Sequence, residues 1–422
     1  MRASKKTTSH HQQTMQPFPA KDNASFSIRE SSAMEITTLL TQGVSDGVAP
    51  AISLLIAEGN KILFLKTVGQ RGYDQQDPQL QGEVNAETVF DIGSLTLPLI
   101  TTTILMRLHH QGLIDVHHKV SRYIQSFNTF GKEEITIADL LSHTSGLAAY
   151  HPFYQELTKE NAEKRLGILT SRGARDYIYN AIIRSQLRFE PRSRCLPSDL
   201  GGILLGLLIE TASGMNLDTA FQRLVAFPLG LKSTGFIDLA LSKRRGWQPA
   251  FEKIAPTEEC QWRKRILCGE PFDENCAAMG GIAGHSGIFT NILDCQKICC
   301  ELIAAYQNRS GLISGETIKL FWSDLNNDNQ NSGTYGINKE EKLSKLILGW
   351  EIATSDYNNT SGFGEEIISS SGNTGCFIWL NPTNSIQILL FSNTVHPVRA
   401  NKKIQQFKEG VYAMALNALR LP

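Results

Sequence analysis

The sequence predicts an α+β fold: one antiparallel β-sheet flanked by helices, with an all-helical lobe inserted between its strands. Three observations predict it. β-rich runs stand towards both ends of the chain, helix starts and stops punctuate the middle, and turn residues join the terminal runs in pairs.

In chain order, residues 1 to 30 are rich in Ser, Gln, Thr and Lys and too polar to bury a core, so they are expected to form a disordered tail that includes His10-His11. The domain is expected to fill residues 31 to 422, with the helical lobe at about 100 to 310. A helix from Ser32 to Gln42 leads to the apolar runs Ala51 to Ala57 and Ile62 to Leu65. The turn Glu58-Gly59-Asn60-Lys61 makes a hairpin of them. Ile100 to Gln111 reads as a helix stopped by Gly112. Ile137 to Leu141 is a short helix ending in Ser142-His143-Thr144-Ser145-Gly146. Gly201 to Thr211 is an apolar one closed by Gly214. Strands return at Ile347 to Ala353, Cys376 to Leu380 and Ile386 to Phe391, the last two joined by Asn381-Pro382-Thr383-Asn384. A final helix is expected from Ala400 to Leu419. With strands from both ends in one sheet, a cleft between sheet and lobe is the place for chemistry.

Composition excludes several functions. Lys+Arg and Asp+Glu are both 41, so no net charge draws the chain to nucleic acid or to an anionic membrane. No apolar run reaches the roughly 18 residues that a membrane-crossing helix needs. The basic start Met1-Arg2-Ala3-Ser4-Lys5-Lys6 runs into Thr, Ser, His and Gln with no apolar segment, which reads as a cytoplasmic chain without a secretion signal. The eight cysteines form no CxxC pair and are expected to be reduced thiols. A zinc site at Cys295, Cys299 and Cys300 is conceivable, because i,i+4 places two of these thiols on one helical face, but a fourth ligand at zinc spacing is missing, so no metal or cofactor is expected.

Several phrases carry a resemblance. They are Phe90-Asp91-Ile92-Gly93-Ser94-Leu95-Thr96-Leu97-Pro98-Leu99, Leu140-Leu141-Ser142-His143-Thr144-Ser145-Gly146-Leu147 and Gly280-Gly281-Ile282-Ala283-Gly284-His285-Ser286-Gly287-Ile288-Phe289. Ile254-Ala255-Pro256-Thr257-Glu258, Asp273-Glu274-Asn275 and Ser392-Asn393-Thr394-Val395-His396-Pro397 join them. Across about residues 45 to 420 the chain resembles the serine β-lactamases and penicillin-binding proteins, in particular a bacterial, esterase-like branch. The resemblance implies the β-lactamase/transpeptidase fold and a nucleophile at Ser94. It also implies that any partner is a small ester, β-lactam or D-amino peptide bound in the cleft.

The family's chemistry needs bases that this sequence lacks. A serine hydroxyl is a poor nucleophile until a neighbour takes its proton. In the family's Ser-x-x-Lys box that neighbour is a lysine one helical turn on. Here it is Leu97. Taken alone, Ser94 reads as a helix-capping serine. The family's Tyr-x-Asn turn, counted back from the Gly201 helix, falls on Pro197-Ser198-Asp199, so Pro197 replaces the proton shuttle. A shifted register, Ser198-Asp199-Leu200, fits the helix phase less well. The Lys/His-Thr/Ser-Gly strand maps to Ser370-Ser371-Gly372, where Ser370 has no charge to anchor a carboxylate and Gly372 still admits a carbonyl. Pro271-Phe272 departs too, where the branch has an aliphatic residue and a histidine. His143 and His285 read as structural and His396 as a turn or cap residue. The expectation is a hydrolase fold without ordinary turnover. The alternatives are acylation at Ser94 with Asp199 or a water chain as base, and a binding or regulatory module that uses the cleft.

Overall fold

The computed structural model describes residues 26–73, 80, 82–164, 167–246, 249–323, 347–352 and 367–420. In chain order its principal elements are α1 (Glu30–Ser45), β1 (Ala51–Glu58), β2 (Lys61–Gly69), α2 (Thr102–His110), α3 (Ile137–Leu141), α4 (Asp199–Ser213), α5 (Glu274–Ala278) and α6 (Ile292–Tyr306). They continue with β3 (Glu351–Ile352), β4 (Ile368–Ser371), β5 (Phe377–Asn381), β6 (Ile386–Ser392) and α7 (Lys403–Ala418).

Strands from both ends of the chain form one antiparallel sheet in the order β2-β1-β6-β5-β4-β3. The hairpin closes at Glu58↔Lys61, and β1 then pairs with β6 at Ile56↔Ile388. Side chains alternate across a strand, so β1 splits its run between two cores. Ile52, Leu54 and Ile56 join Ile36 and Leu40 of α1 and Ile404 and Val411 of α7. Ala51, Leu55 and Ala57 face the lobe. A strand covered on both faces reads as continuously apolar, which is why Ala51 to Ala57 shows no polar alternation.

The elements differ in places from those read in the sequence. Residues 26–30 do not belong to a tail: Ser27–Ile28 pairs with Leu419–Arg420, and α1 begins at Glu30. The rest of that segment, residues 1–25, lies outside the described residues. Of the run from Ile347 only Glu351–Ile352 pairs with β4, because residues 348–350 bend; Ala353 lies outside the described residues. The lobe is not all-helical either. Within it, Ile288–Thr290 and Gly235–Phe236 are strands that pair in a three-stranded sheet with Phe90–Asp91, which precedes the lobe.

α4 is the buried axis of the lobe, and Gly214, in the left-handed region (φ 67°), ends it. Gly284 packs directly on it: a Cβ there would lie 2.3 Å from the Gly202 carbonyl oxygen. That close approach seats the Gly284-His285 segment beside the helix start. No disulfide joins any of the eight cysteines among the described residues, and Cys300 on α6 donates to the Gly59 carbonyl at 3.0 Å. Among the described residues no single helix is long and apolar enough to cross a membrane.

Candidate active site

Asp91 sets the turn that carries Ser94. Its carboxylate accepts from the Gly93 N–H at 2.8 Å and from the Phe272 N–H at 2.6 Å. Burial pushes that carboxyl up to about 6, against the pull of the two N–H donors. Gly93 sits at φ 53°. The chain then makes a 3₁₀ turn over Gly93–Leu95 and a π-helical turn over Leu97–Thr101 before α2 begins, so the long helix starts later than the sequence pattern indicates. Pro98 has no N–H to donate, and Thr102 Oγ1 donates to the Leu97 carbonyl at 2.9 Å within the widened turn.

Ser94 faces the end of β4. The Asn373 N–H donates to Ser94 Oγ at 3.2 Å, and the Ser94 N–H donates to Asn373 Oδ1 at 3.2 Å. Gly372 allows this contact, because a Cβ there would lie 2.3 Å from the Ile92 carbonyl oxygen. Asn373 was not singled out in the sequence. Its one signal is its place directly after the Ser-Ser-Gly phrase.

A cavity of about 250 Å³ opens on Ser94 and brings Leu97, Pro197, Asp199 and Ser370 to one wall, with His285 beside them. Ser198 caps α4 by accepting from the Gly201 N–H at 3.3 Å, and it donates to the Ala148 carbonyl at 2.6 Å. Its hydroxyl is therefore committed, and the shifted register has no free serine to use. His143 Nδ1 accepts from the Ser198 N–H at 3.3 Å, and burial lowers this imidazole to about 4. A neutral ring that accepts at Nδ1 carries its proton on Nε2 and offers no base there.

Asp199 opens α4, and its carboxyl is raised by burial, partly offset by the charge of His285. His285, expected to be structural, lies on the cavity wall as well as in the framework. Its Nε2 bonds Asp273 Oδ1 at 3.0 Å, while Nδ1 is buried with no hydrogen-bond partner among the described residues. Burial works against charge on this ring, but the charge and hydrogen bond of Asp273 outweigh it and the pKa is raised. Burial likewise opposes ionisation of Asp273, and His285 outweighs it in the other direction.

The remaining departure, Phe272, and the turn residue His396 both have packing partners. Phe272 is buried, with the Arg399 guanidinium 4.2 Å from its ring centroid. His396 Nδ1 donates to the Thr257 carbonyl at 2.7 Å, and its Nε2 accepts from the Tyr73 N–H at 3.2 Å, so it ties loops together. Among the described residues Glu258, Cys260 and Glu274 are the one group whose ligand atoms come close enough for a metal. Arg399 already bonds both carboxylates, and Arg263 Nε donates to Cys260 Sγ at 3.3 Å, so arginines neutralise that group.

The family model described as Beta-lactamase matches residues 36–410. The chain belongs to the beta-lactamase family. Its relatives include a Salmonella gallinarum protein named as a candidate D-alanyl-D-alanine carboxypeptidase, 28% identical over 86% of this chain and 83% of that one. One from Escherichia coli K12, with the same name, is 27% identical over 93% and 89%. Among solved structures, EstCE1, a hydrolase with promiscuous acyltransferase activity, superposes with a TM-score of 0.67 at 17% identity, over 92% of this chain and 99% of its own. The octameric penicillin-binding protein homologue of Pyrococcus abyssi gives 0.65 at 19% identity, over 91% and 77%. Simvastatin synthase (LovD) from Aspergillus terreus gives 0.66 at 18%, over 92% and 98%. Such likenesses show the fold of this beta-lactamase-family chain. Its chemistry has to be argued from the cavity.

Proposed function

We propose that this chain is a beta-lactamase-family protein in which acyl transfer through Ser94 is lost or severely impaired, while the cleft still admits a ligand. One observation carries the reading: where the family's chemistry needs a base, a proton shuttle and a charged anchor, the cavity around Ser94 is lined by Leu97, Pro197 and Ser370, and its imidazole and carboxyl groups are instead His143, Asp199, His285 and Glu351. Leu97 has no lone pair, Pro197 has no side-chain donor or acceptor, and the Ser370 hydroxyl neither takes a proton near neutral pH nor anchors an anion. Positioned acid–base groups are each worth on the order of 10² to 10⁴ in rate, and losing a cooperating set is more damaging than losing one.

A second reading, a non-catalytic binding or regulatory module for a small ester, β-lactam or D-amino peptide, is supported by the cavity of about 250 Å³ that remains open beside Ser94. Acylation with Asp199 as base is the competing enzyme reading, and the raised pKa of that carboxyl is its one support. Intact-mass analysis after a fluorophosphonate and, separately, a penicillin decides among them, with Ser94→Ala as the control. The expected outcome is no adduct, or one formed over hours. Rapid adduct formation that Ser94→Ala abolishes overturns the reading, and binding without adduct favours the module.

A further inference from the structure

We infer that the side chain of Asn373 is an internal ligand of the site beside Ser94, occupying the N–H donor that a bound carbonyl oxygen would need. The inference rests on Ser94 being the nucleophile position, as proposed above.

Attack by Ser94 Oγ on an acyl carbon turns the carbonyl oxygen into an oxyanion, which must be met by fixed donors placed where the charge develops. Two backbone N–H groups converge next to Ser94 Oγ: that of Ser94 itself and that of Asn373, across the junction of the two segments. Both are engaged. The Asn373 N–H points at Ser94 Oγ at 3.2 Å, and the Ser94 N–H is taken by Asn373 Oδ1 at 3.2 Å. The Oδ1 atom is a neutral amide oxygen, the same chemical type as the carbonyl oxygen of an ester or peptide. It is held over Gly93, where a Cβ would lie 2.1 Å from it. Gly93 thus leaves the room that the Asn373 amide fills. Asn373 is itself exposed, so the amide can turn out into water without breaking the core. A ligand carbonyl must displace it, and affinity falls by the cost of that exchange, whatever bases surround the serine.

An equilibrium probe tests this without relying on catalysis. An arylboronic acid, R–B(OH)₂, adds to a serine hydroxyl by forming an O–B bond while the serine proton goes to solvent. The product is an anionic tetrahedral boronate with one oxygen in the oxyanion position. Phenylboronic acid titrations read by boron-11 NMR and calorimetry would compare the parent with Asn373→Ala, Asn373→Asp and Ser94→Ala, each checked for an unchanged melting transition. Asn373→Ala keeps the backbone N–H and removes Oδ1, so it should tighten binding roughly tenfold, the weight of one hydrogen bond. Asn373→Asp keeps an acceptor and should give no gain, and Ser94→Ala should abolish the tetrahedral signal. Equal or weaker binding by Asn373→Ala, or no tetrahedral boron in either protein, overturns the inference. Fast Ser94-dependent ester turnover by the parent would instead overturn the reading of impaired catalysis, and the boronate comparison would stand apart from it.

Discussion

Asp139 and Asp199 open two helices of the same lobe, α3 and α4, and the structure treats them in opposite ways. Asp139 is fully buried and fully paired: it completes a capping box with Thr136, and Arg192 reaches it with Nη2 at 2.8 Å and Nε at 2.9 Å. Asp199 lies on the cavity wall, and its carboxylate makes no hydrogen bond among the described residues. Both sit at the positive end of a helix dipole, so position alone does not separate them. The framework spends several donors on one carboxylate, whereas the wall leaves its carboxylate to whatever enters the cleft. Stability is therefore concentrated behind the wall.

The largest expected effect tests that contrast directly. Asp139→Ala removes a cap and strands the Arg192 guanidinium, and should cost about 3 kcal/mol in urea unfolding. Asp199→Ala should change stability by less than about 0.5 kcal/mol, since it breaks no hydrogen bond and the attraction of its carboxylate to His285 is outweighed by the cost of burying it. A reversed order would break the comparison.

The next effect belongs to a group that serves both regions. His285→Gln leaves Asp273 buried beside a neutral amide and should cost about 2 kcal/mol near pH 6. The pair also sets a pH dependence. The imidazole pKa is raised above its ordinary 6.5, so its contribution is complete below 6.5 and is lost as pH rises through the raised value. The Asp273 pKa is lowered below its ordinary 3.8, so its contribution is complete above 3.8 and is lost as pH falls through the lowered value. Stability from the pair is thus greatest between 3.8 and 6.5. Melting temperatures of parent and His285→Gln from pH 5 to 9 should converge on the alkaline side, and a constant gap would show that the ring is uncharged.

The framework was the legible part. Turn residues and period placed both hairpins, and the helix expected at Ile137 to Leu141 is present, with Thr136 as the cap that the structure adds. The sequence also located the wall, because a helix as apolar as α4 fixes the phase of Pro197-Ser198-Asp199. It did not show that Asn373 would fold back on Ser94, since a side-chain-to-backbone contact across 279 residues leaves no periodic trace. Nor did it show that His285 belongs to the cavity as well as to the scaffold. A glycine-rich turn reads as structure, and only the packing of Gly284 on Gly202 turns the next residue towards the cleft. The strand expected from Ile347 was shortened by the bend at 348–350, which local propensity does not encode.

A smaller effect separates capping from chemistry. Ser198→Ala should cost about 1 kcal/mol through loss of the helix cap, with no change in boronate affinity. A change in affinity without a change in stability would place that hydroxyl among the ligand-binding groups.

The smallest effect expected is on turnover, when one lost base is restored. Leu97→Lys puts an amine one turn after Ser94, where Leu97 is now 8% exposed. Desolvation there would lower the lysine pKa and favour the free amine, which helps a base, while Asp199 on the same wall would pull it back towards the charged form. Even a usable amine solves one step. The proton must still reach the leaving group, and Pro197 cannot pass it. The substrate must still be held, and Ser370 carries no charge. The donor pair remains engaged by Asn373. Groups that act as a unit are strongly non-additive, so Leu97→Lys alone should raise hydrolysis of a chromogenic ester or cephalosporin by less than about tenfold over the parent. The triple variant Leu97→Lys, Pro197→Tyr, Ser370→His should exceed the single by about 10² or more, the value of one positioned acid–base group, provided its melting transition is kept. An enzyme already working with an unusual base behaves the other way round. Its parent shows clear Ser94-dependent turnover, and Leu97→Lys lowers it because a new cation beside Asp199 weakens that carboxylate as a base. Rates for the parent, the single and the triple variant, each with its Ser94→Ala counterpart, separate the two cases.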